Sequence, residues 1–274
     1  MKNSPYATHW KSSQLMSDKR FEIRFYKDKD IQKVSLHSHD FYELYFFING
    51  SASYIIEDAH YKLQSGDILL ISPSDLHQLD INDKSESYER MVLWLNPKYL
   101  RELSSPNTNL AECFELSYRR KQYLIRDYKL SEEVTEELTA LYEYSLTDSY
   151  GSDINMEIII KKLLLSLCLF IKNAPQVLDK SRSVVSRTIN FICENLDKEL
   201  SLDALAEAMY ISKYHLSRLF KEETNTTPHQ YIIKKRLVFS KQLIERNTPI
   251  KDVYLKCGFA DYTHFFRAFK HEYG

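Results

Sequence analysis

Between about residues 20 and 100, apolar positions tend to fall every second residue. FEIRFYKD, YELYFFI, SYIIE, HYKLQ, DILLIS and ERMVLWL are short, rich in β-branched and aromatic residues, and read as strands. NGS, EDAH and QSGD punctuate them, and Gly50 and Gly66 fall at turns where a positive φ is expected. Short strands with turn signals predict an all-β sandwich or barrel. From Ser131 the period becomes helical. SEEVTEELTALYEYSL puts apolar residues at 134, 138, 141 and 142, with Ser131 as the opening cap. NMEIIIKKLLLSLCLFIKN predicts a second helix, apolar around most of its circumference. Such a helix needs cover on several sides, from the first helix and from a second copy of the chain. APQVLDKSR, residues 174–182, reads as a linker, and everything after it is helical.

Two short helices joined by a tight turn recur in that last part. Ser201 caps a helix with core face Leu202, Leu205, Ala206 and Met209. Ser212 then caps another with Leu216, Leu219 and Phe220 inward. About fifty residues on, Thr248 is the expected cap with Pro249 at the first helical position. Ile250, Val253, Tyr254 and Cys257 form the stripe, Gly258 turns the chain and Phe259 plugs the core. Asp261 caps the last helix, with Phe265, Ala268 and Phe269 inward, and a long helix from Pro228 to Asn247 joins the two halves. Spacing also names the opposite faces. They are Tyr214, Ser217, Arg218 and Lys221 on one helix, and Tyr262, Thr263, Phe266, Arg267 and Lys270 on the other. Arg reads guanine edges bidentately, Tyr and Thr meet thymine methyls or phosphates, and Lys binds phosphate. A solvated helix face carries similar residues; the tandem repetition favours a DNA interface.

Charge sharpens the division. From Lys180 onward there are 16 Lys and Arg against 11 Asp and Glu, and before it 21 against 27, so only the helical part suits an anionic partner. The four cysteines, Cys113, Cys168, Cys193 and Cys257, form no CxxC pair and read as reduced, buried thiols. MKNSPYATHW has no apolar signal core, and IIIKKLLLSLCLFI is interrupted by two lysines and too short to span a bilayer. The expectation is a soluble cytoplasmic protein with no membrane partner.

The stretch LSLDALAEAMYISKYHLSRLFKEETNTTPHQYI, the pair Arg236-Leu237, and IKDVYLKCGFADYTHFFRAFKHEYG resemble the DNA-binding domain of the AraC/XylS transcription regulators. Gly258, Phe259, Phe265, Arg267, Phe269 and Lys270 match its closing motif. Asn225 stands where glycine usually follows the first recognition helix, and Ser240 where alanine is usual. The first turn has no glycine, and the sequence reaches Gly274 before the family's closing Pro-x-x-Tyr/Phe-Arg segment. The N-terminal half resembles the small cupin barrel that many members carry, through HSHDFYE, Gly50 and SGDILLISPSDLH.

That resemblance turns His37, His39, Glu43 and His77 into the metal set of cupin enzymes. In strands, His37 and His39 would share a face. In proteins fused to this DNA-binding domain, however, the resemblance implies an effector site without catalysis. The reading adopted is therefore a sensing site of His37, His39, Glu43, Tyr45, His77 and Trp94, with no metal and no other cofactor. Phe41, Tyr42, Tyr45, Tyr54 and Trp94 would stack on a sugar ring, or simply fill the core. His9 and Trp10 lie near an N-terminal arm that in this family folds over the pocket.

The resemblance thus implies a two-domain α+β regulator. Residues 1–173 form a cupin-like sensing and dimerisation domain, 174–182 a linker, and 183–274 an all-α tandem helix-turn-helix domain. Its expected partners are double-stranded DNA, RNA polymerase, a second copy of the chain and a small molecule, a sugar first. The rival readings are a metal-dependent cupin enzyme with a helical appendage, and an effector-independent regulator of virulence or stress genes.

Overall fold

A computed structural model describes residues 15–29, 34–73, 75–83, 87–175 and 183–274. The chain divides into two compact units, one built from residues before 178 other than Leu36–Ser38, and the other from Leu36–Ser38 and residue 178 onward. Residues 9 and 10, and 176–182 of the expected linker, lie outside the described residues.

The first unit holds two antiparallel sheets. One has the order β1 (Phe21–Asp28), β8 (Tyr88–Leu95), β3 (Tyr42–Asn49), β6 (Ile68–Ile71), β9 (Leu124–Ile125). The other runs β2 (Val34–His37), β7 (His77–Asp83), β4 (Ser51–Ile56), β5 (Ala59–Lys62). Strand alternation sorts the core into two layers. Leu44, Phe46, Ile68, Leu70, Met91, Leu93 and Leu95 turn one face of the larger sheet toward helices. Tyr45, Phe47, Leu69, Ile71, Val92 and Trp94 turn the other face toward Val34, Ala52, Tyr54, Ile56 and Leu79 of the smaller sheet. The expected barrel is thus two facing sheets, with β2, β7 and β9 added to the strands legible in the sequence.

Among the described residues four helices complete this unit: α1 (Pro97–Leu103), α2 (Glu112–Arg120), α3 (Tyr128–Ser145) and α4 (Ser152–Asn173). The first two had no clear periodicity. Helix α3 starts one turn earlier than expected, because Asp127 rather than Ser131 accepts the capping bond, from Leu130 N–H. Val134, Leu138 and Leu141 of α3 and Ile160, Leu163, Leu164, Leu167 and Ile171 of α4 are buried together.

In the second unit α5 (Val184–Glu194), α6 (Leu202–Met209) and α7 (Lys213–Thr224) precede the long α8 (Pro228–Glu245), and α9 (Ile250–Lys256) and α10 (Tyr262–Tyr273) follow it. Thr227 opens α8 with a reciprocal cap. Its hydroxyl accepts from Gln230 N–H, and its own N–H donates to Gln230 Oε1. Asp261, Ser201 and Ser212 cap as expected. At α9 the cap is Pro249, without a side-chain bond, so Thr248 does not play that part, and Ile250 is exposed. Tyr210 and Asn225 take left-handed φ of 59° and 53°, which is how the two turns close without glycine. Cys113, Cys168 and Cys257 are buried, but Cys193 is exposed. Burial pushes the Cys257 thiol up to about 12 and Cys113 well above its ordinary range.

Candidate effector site and nucleic-acid interface

Between the sheets lies a polar cluster in an otherwise apolar layer. Glu43 sits on the inward face of β3, in register with Trp94 of β8, whose indole Nε1–H donates to Glu43 Oε2 at 3.0 Å. His39 precedes β3, in the irregular segment after β2, and its Nε2 lies 3.1 Å from the same Oε2. His77 opens β7 opposite Ile56. Ligand atoms of His39, Glu43 and His77 all lie within 4.8 Å of one another, and all three residues are buried.

Both imidazoles are oriented from behind. His39 Nδ1 lies 2.8 Å from Phe41 O, and His77 Nδ1 lies 2.8 Å from Asp75 O. A carbonyl only accepts, so each Nδ1 carries the proton and each Nε2 is left as the inward-facing nitrogen. The turn that holds His77 is itself pinned: Ser72 N–H donates to Asp75 Oδ2 and Leu76 N–H to Glu57 Oε1. The His39 ring stacks on Phe41 at 3.9 Å, and the Tyr54 ring lies parallel to His77 at 6.0 Å.

Not every expected residue joins this cluster. His37 is buried but stands outside the group of ligand atoms. Strand alternation cannot carry it there, because β2 ends at His37 and His39 is no longer in a strand. Tyr42 turns the other way, packing on Phe114 under the helices. Tyr45 does face inward, where its hydroxyl pairs with that of Tyr88.

Arg90, Tyr88 and Arg24 were not anticipated. Arg90 is buried between the rings of Tyr26 and Tyr88, at 4.4 and 4.5 Å, and pairs with Asp28 at 2.7 Å. Arg24 lies over the Trp94 ring at 4.6 Å. The sequence signal was the alternation of β8, which puts residues 88, 90, 92 and 94 on one face. Burial holds Tyr45 and Tyr54 well above the ordinary phenol range and Tyr88 at about 12, so all three remain neutral hydrogen-bonding groups.

The second unit presents two short helices as expected. On α7, Leu216 and Phe220 are buried and Leu219 half-buried, while Tyr214, Arg218 and Lys221 are exposed and Ser217 is half-exposed. On α10, Phe265 is buried and Ala268 and Phe269 half-buried, while Tyr262, Thr263, Phe266, Arg267 and Lys270 are exposed. Tyr214 is 80% exposed and Phe266 50%, an unusual cost for aromatic surface unless a partner covers it. The two arginines are held only loosely: Arg218 Nε lies 3.9 Å from Glu222, and Arg267 Nε donates to Thr263 O at 3.4 Å. His215, His264 and His271 are exposed on these helices.

Two family models divide the chain in the same way. The AraC-like ligand binding domain matches residues 22–143, and the Helix-turn-helix domain matches residues 205–274. The chain belongs to the AraC family. It is a DNA-binding transcription regulator that responds to a small molecule. Among the relatives of this AraC-family regulator is the HTH-type transcriptional activator RhaS of Escherichia fergusonii, 25% identical over 240 residues, which are 87% of this chain and 84% of that protein. RhaS of an Escherichia coli O139:H28 strain is 24% identical over 86% of this chain and 84% of its own length. A crystal structure of ToxT from Vibrio cholerae covers 93% of the chain, and 94% of its own, at 14% identity and a TM-score of 0.38. In this AraC-family chain no helix among the described residues is long and apolar enough to cross a membrane.

Proposed function

We propose that the effector is a small polar molecule, a sugar in the first instance, recognised between the two sheets by His39, Glu43, His77, Tyr45 and Trp94. His37 stands outside this cluster. The observation that supports it is the buried meeting of two imidazoles, a carboxylate and an indole N–H in an apolar layer that also holds several aromatic rings. Sugars offer hydroxyls to such groups and C–H faces to such rings. The site is a sensor and not a catalytic centre. Residues 1–173 sense and dimerise, and residues 183–274 bind DNA in the cytoplasm, with Tyr214, Ser217, Arg218 and Lys221 of α7 and Tyr262, Thr263, Phe266, Arg267 and Lys270 of α10 facing successive major grooves about 34 Å apart. The regulator acts as an activator with RNA polymerase.

The test is selection of bound duplexes from a random DNA library at two salt concentrations, followed by sequencing. A bipartite site with contacts about one helical turn apart is the expected result. A well-folded chain that enriches nothing would overturn the DNA half of the reading. Adding candidate sugars to the selected duplex then shifts affinity or Tm, and a panel of sugars without effect overturns the sugar assignment.

The dimer rests on α4. Ile154, Ile158, Leu165 and Leu169 are exposed by 58, 56, 43 and 53% and fall on one stripe about 60° wide at the helical angle of 100° per residue. A second copy of the same helix covers such a stripe by pairing like with like. Leu165→Glu with Leu169→Glu is expected to yield monomers in sedimentation velocity without loss of fold. A monomeric wild type at micromolar concentration overturns the assignment.

A further inference from the structure

We propose that Cys113 and Cys168 are a dithiol that hydroperoxides oxidise to a disulfide, bridging α2 to α4. Both are buried, as the sequence predicts, at 0 and 4% exposure, but the fold also sets them side by side. Cys113 Sγ lies 3.7 Å from Leu110 O, in the turn that opens α2, and Cys168 Sγ lies 3.6 Å from the same oxygen. The two thiols also hydrogen-bond each other. They meet because α2 packs on the last turns of α4. Lys172 pairs with Glu112 at 2.7 Å, and Arg120 donates to Ile171 O at 2.7 Å. These bonds hold the two helices together on either side of the sulfurs.

The two sulfurs differ in character. The hydrogen bond from Cys113 holds the Cys168 thiol below its ordinary range, while burial holds Cys113 well above it. Cys168 is also the nearer to solvent. Its helical neighbours Leu165 and Leu169 are exposed by 43 and 53%, and Lys172, one turn on, is exposed. Cys168 is therefore the attacking sulfur and Cys113 the resolving one.

The Cys168 thiolate attacks one oxygen of ROOH. The O–O bond breaks, RO⁻ leaves and takes up a proton as ROH, and Cys168 becomes a sulfenic acid. The Cys113 sulfur then attacks the sulfenic sulfur. The S–S bond forms, and the hydroxyl leaves with the Cys113 proton as water. Two electrons pass from the thiols to the peroxide, so two thiols and ROOH become a disulfide, ROH and water. Reducing surroundings keep the pair open, and the closed form marks exposure to oxidant. Closure also cross-links the chain between residues 113 and 168, which restricts its unfolded state. The inference does not depend on what binds between the two sheets.

The test uses the full chain carrying Cys193→Ser, which removes the exposed thiol. It is treated with hydrogen peroxide under native conditions, quenched with catalase and digested without reductant. The expected result is one peptide pair joining residues 113 and 168, with a mass loss of about 2 Da that dithiothreitol reverses. The Trp94 fluorescence transition in urea should move to higher urea in the oxidised chain. Cys257, buried in the core of the second unit, should stay open to alkylation after unfolding. Cys113→Ala should stop the reaction at a sulfenic acid on Cys168, trapped by dimedone. Cys168→Ala should slow consumption of peroxide by the remaining thiol roughly ten-fold or more. Both thiols left free while methionines are oxidised would overturn the proposal. So would a link that forms only in urea, or scrambled links that include Cys257. If an alanine variant fails to fold, the peptide map and urea transition of the Cys193→Ser chain decide by themselves.

Discussion

Gly258→Ala is expected to abolish DNA binding by unfolding the second helix-turn-helix, while the β-rich unit stays folded. Gly258 turns the chain between α9 and Phe259 with a φ of 75°. A Cβ there would lie 2.2 Å from Leu196 O and 2.7 Å from Arg236 Nη2. Neither neighbour is free to move. Arg236 of α8 donates through Nε to Leu196 O at 3.1 Å and through Nη2 to Lys198 O at 2.6 Å, tying the long helix to the chain end of α5. An alanine must therefore break that tie or leave its turn, and the left-handed backbone adds roughly 1–2 kcal/mol of its own. Phe259, 3% exposed against Phe265 and Val253, is displaced with it. A loss on the order of 3–5 kcal/mol follows. Among the described residues Trp94 is the tryptophan, and it is buried in the first unit, so its fluorescence reports on that unit. The expected pattern is an unchanged fluorescence transition in urea, an early loss of helical circular dichroism, and no DNA binding by anisotropy. Wild-type DNA affinity in this variant would refute the packing argument.

Arg267→Ala and Arg218→Ala are each expected to lower affinity for the selected duplex by about 1–3 kcal/mol, roughly 5- to 150-fold, and to relax preference at one base position. The change in fold stability should stay within about 0.5 kcal/mol, because both side chains are exposed and make only long contacts with their own helix. Lys221→Ala and Lys270→Ala should behave differently, weakening all sequences alike and lowering the salt slope by about one. Anisotropy titrations at three salt concentrations on specific and scrambled duplexes separate the two behaviours. If the arginine variants bind normally, the faces assigned from spacing are merely solvated. If they lose affinity only by melting earlier, their role is structural.

Much of this was legible because the relevant forces act over a few residues. Caps reach two or three positions, so Ser201, Ser212, Thr227 and Asp261 announce four helix starts. Where capping competes, as between Asp127 and Ser131, the sequence offers two candidates and packing of the first turn chooses. The α1 and α2 segments escaped notice because both helices are short and their patterns are covered by packing from the sheet and α4.

The sequence alone determined the two architectures, their order and the outward faces of α7 and α10, since periodicity and spacing are properties of neighbouring residues. It also nominated the histidines and glutamate of HSHDFYE. Only the tertiary structure decided which of them meet. His37 and His39 are two apart, but β2 ends between them. His39 and His77 are 38 apart, but the facing of two sheets brings their rings to 4.8 Å. The same facing placed Arg90 and Tyr88 beside Tyr45 and sent Tyr42 to the opposite layer. Such convergence depends on register and sheet packing, which are set by the sum of many distant contacts and leave no mark at any one position of the chain.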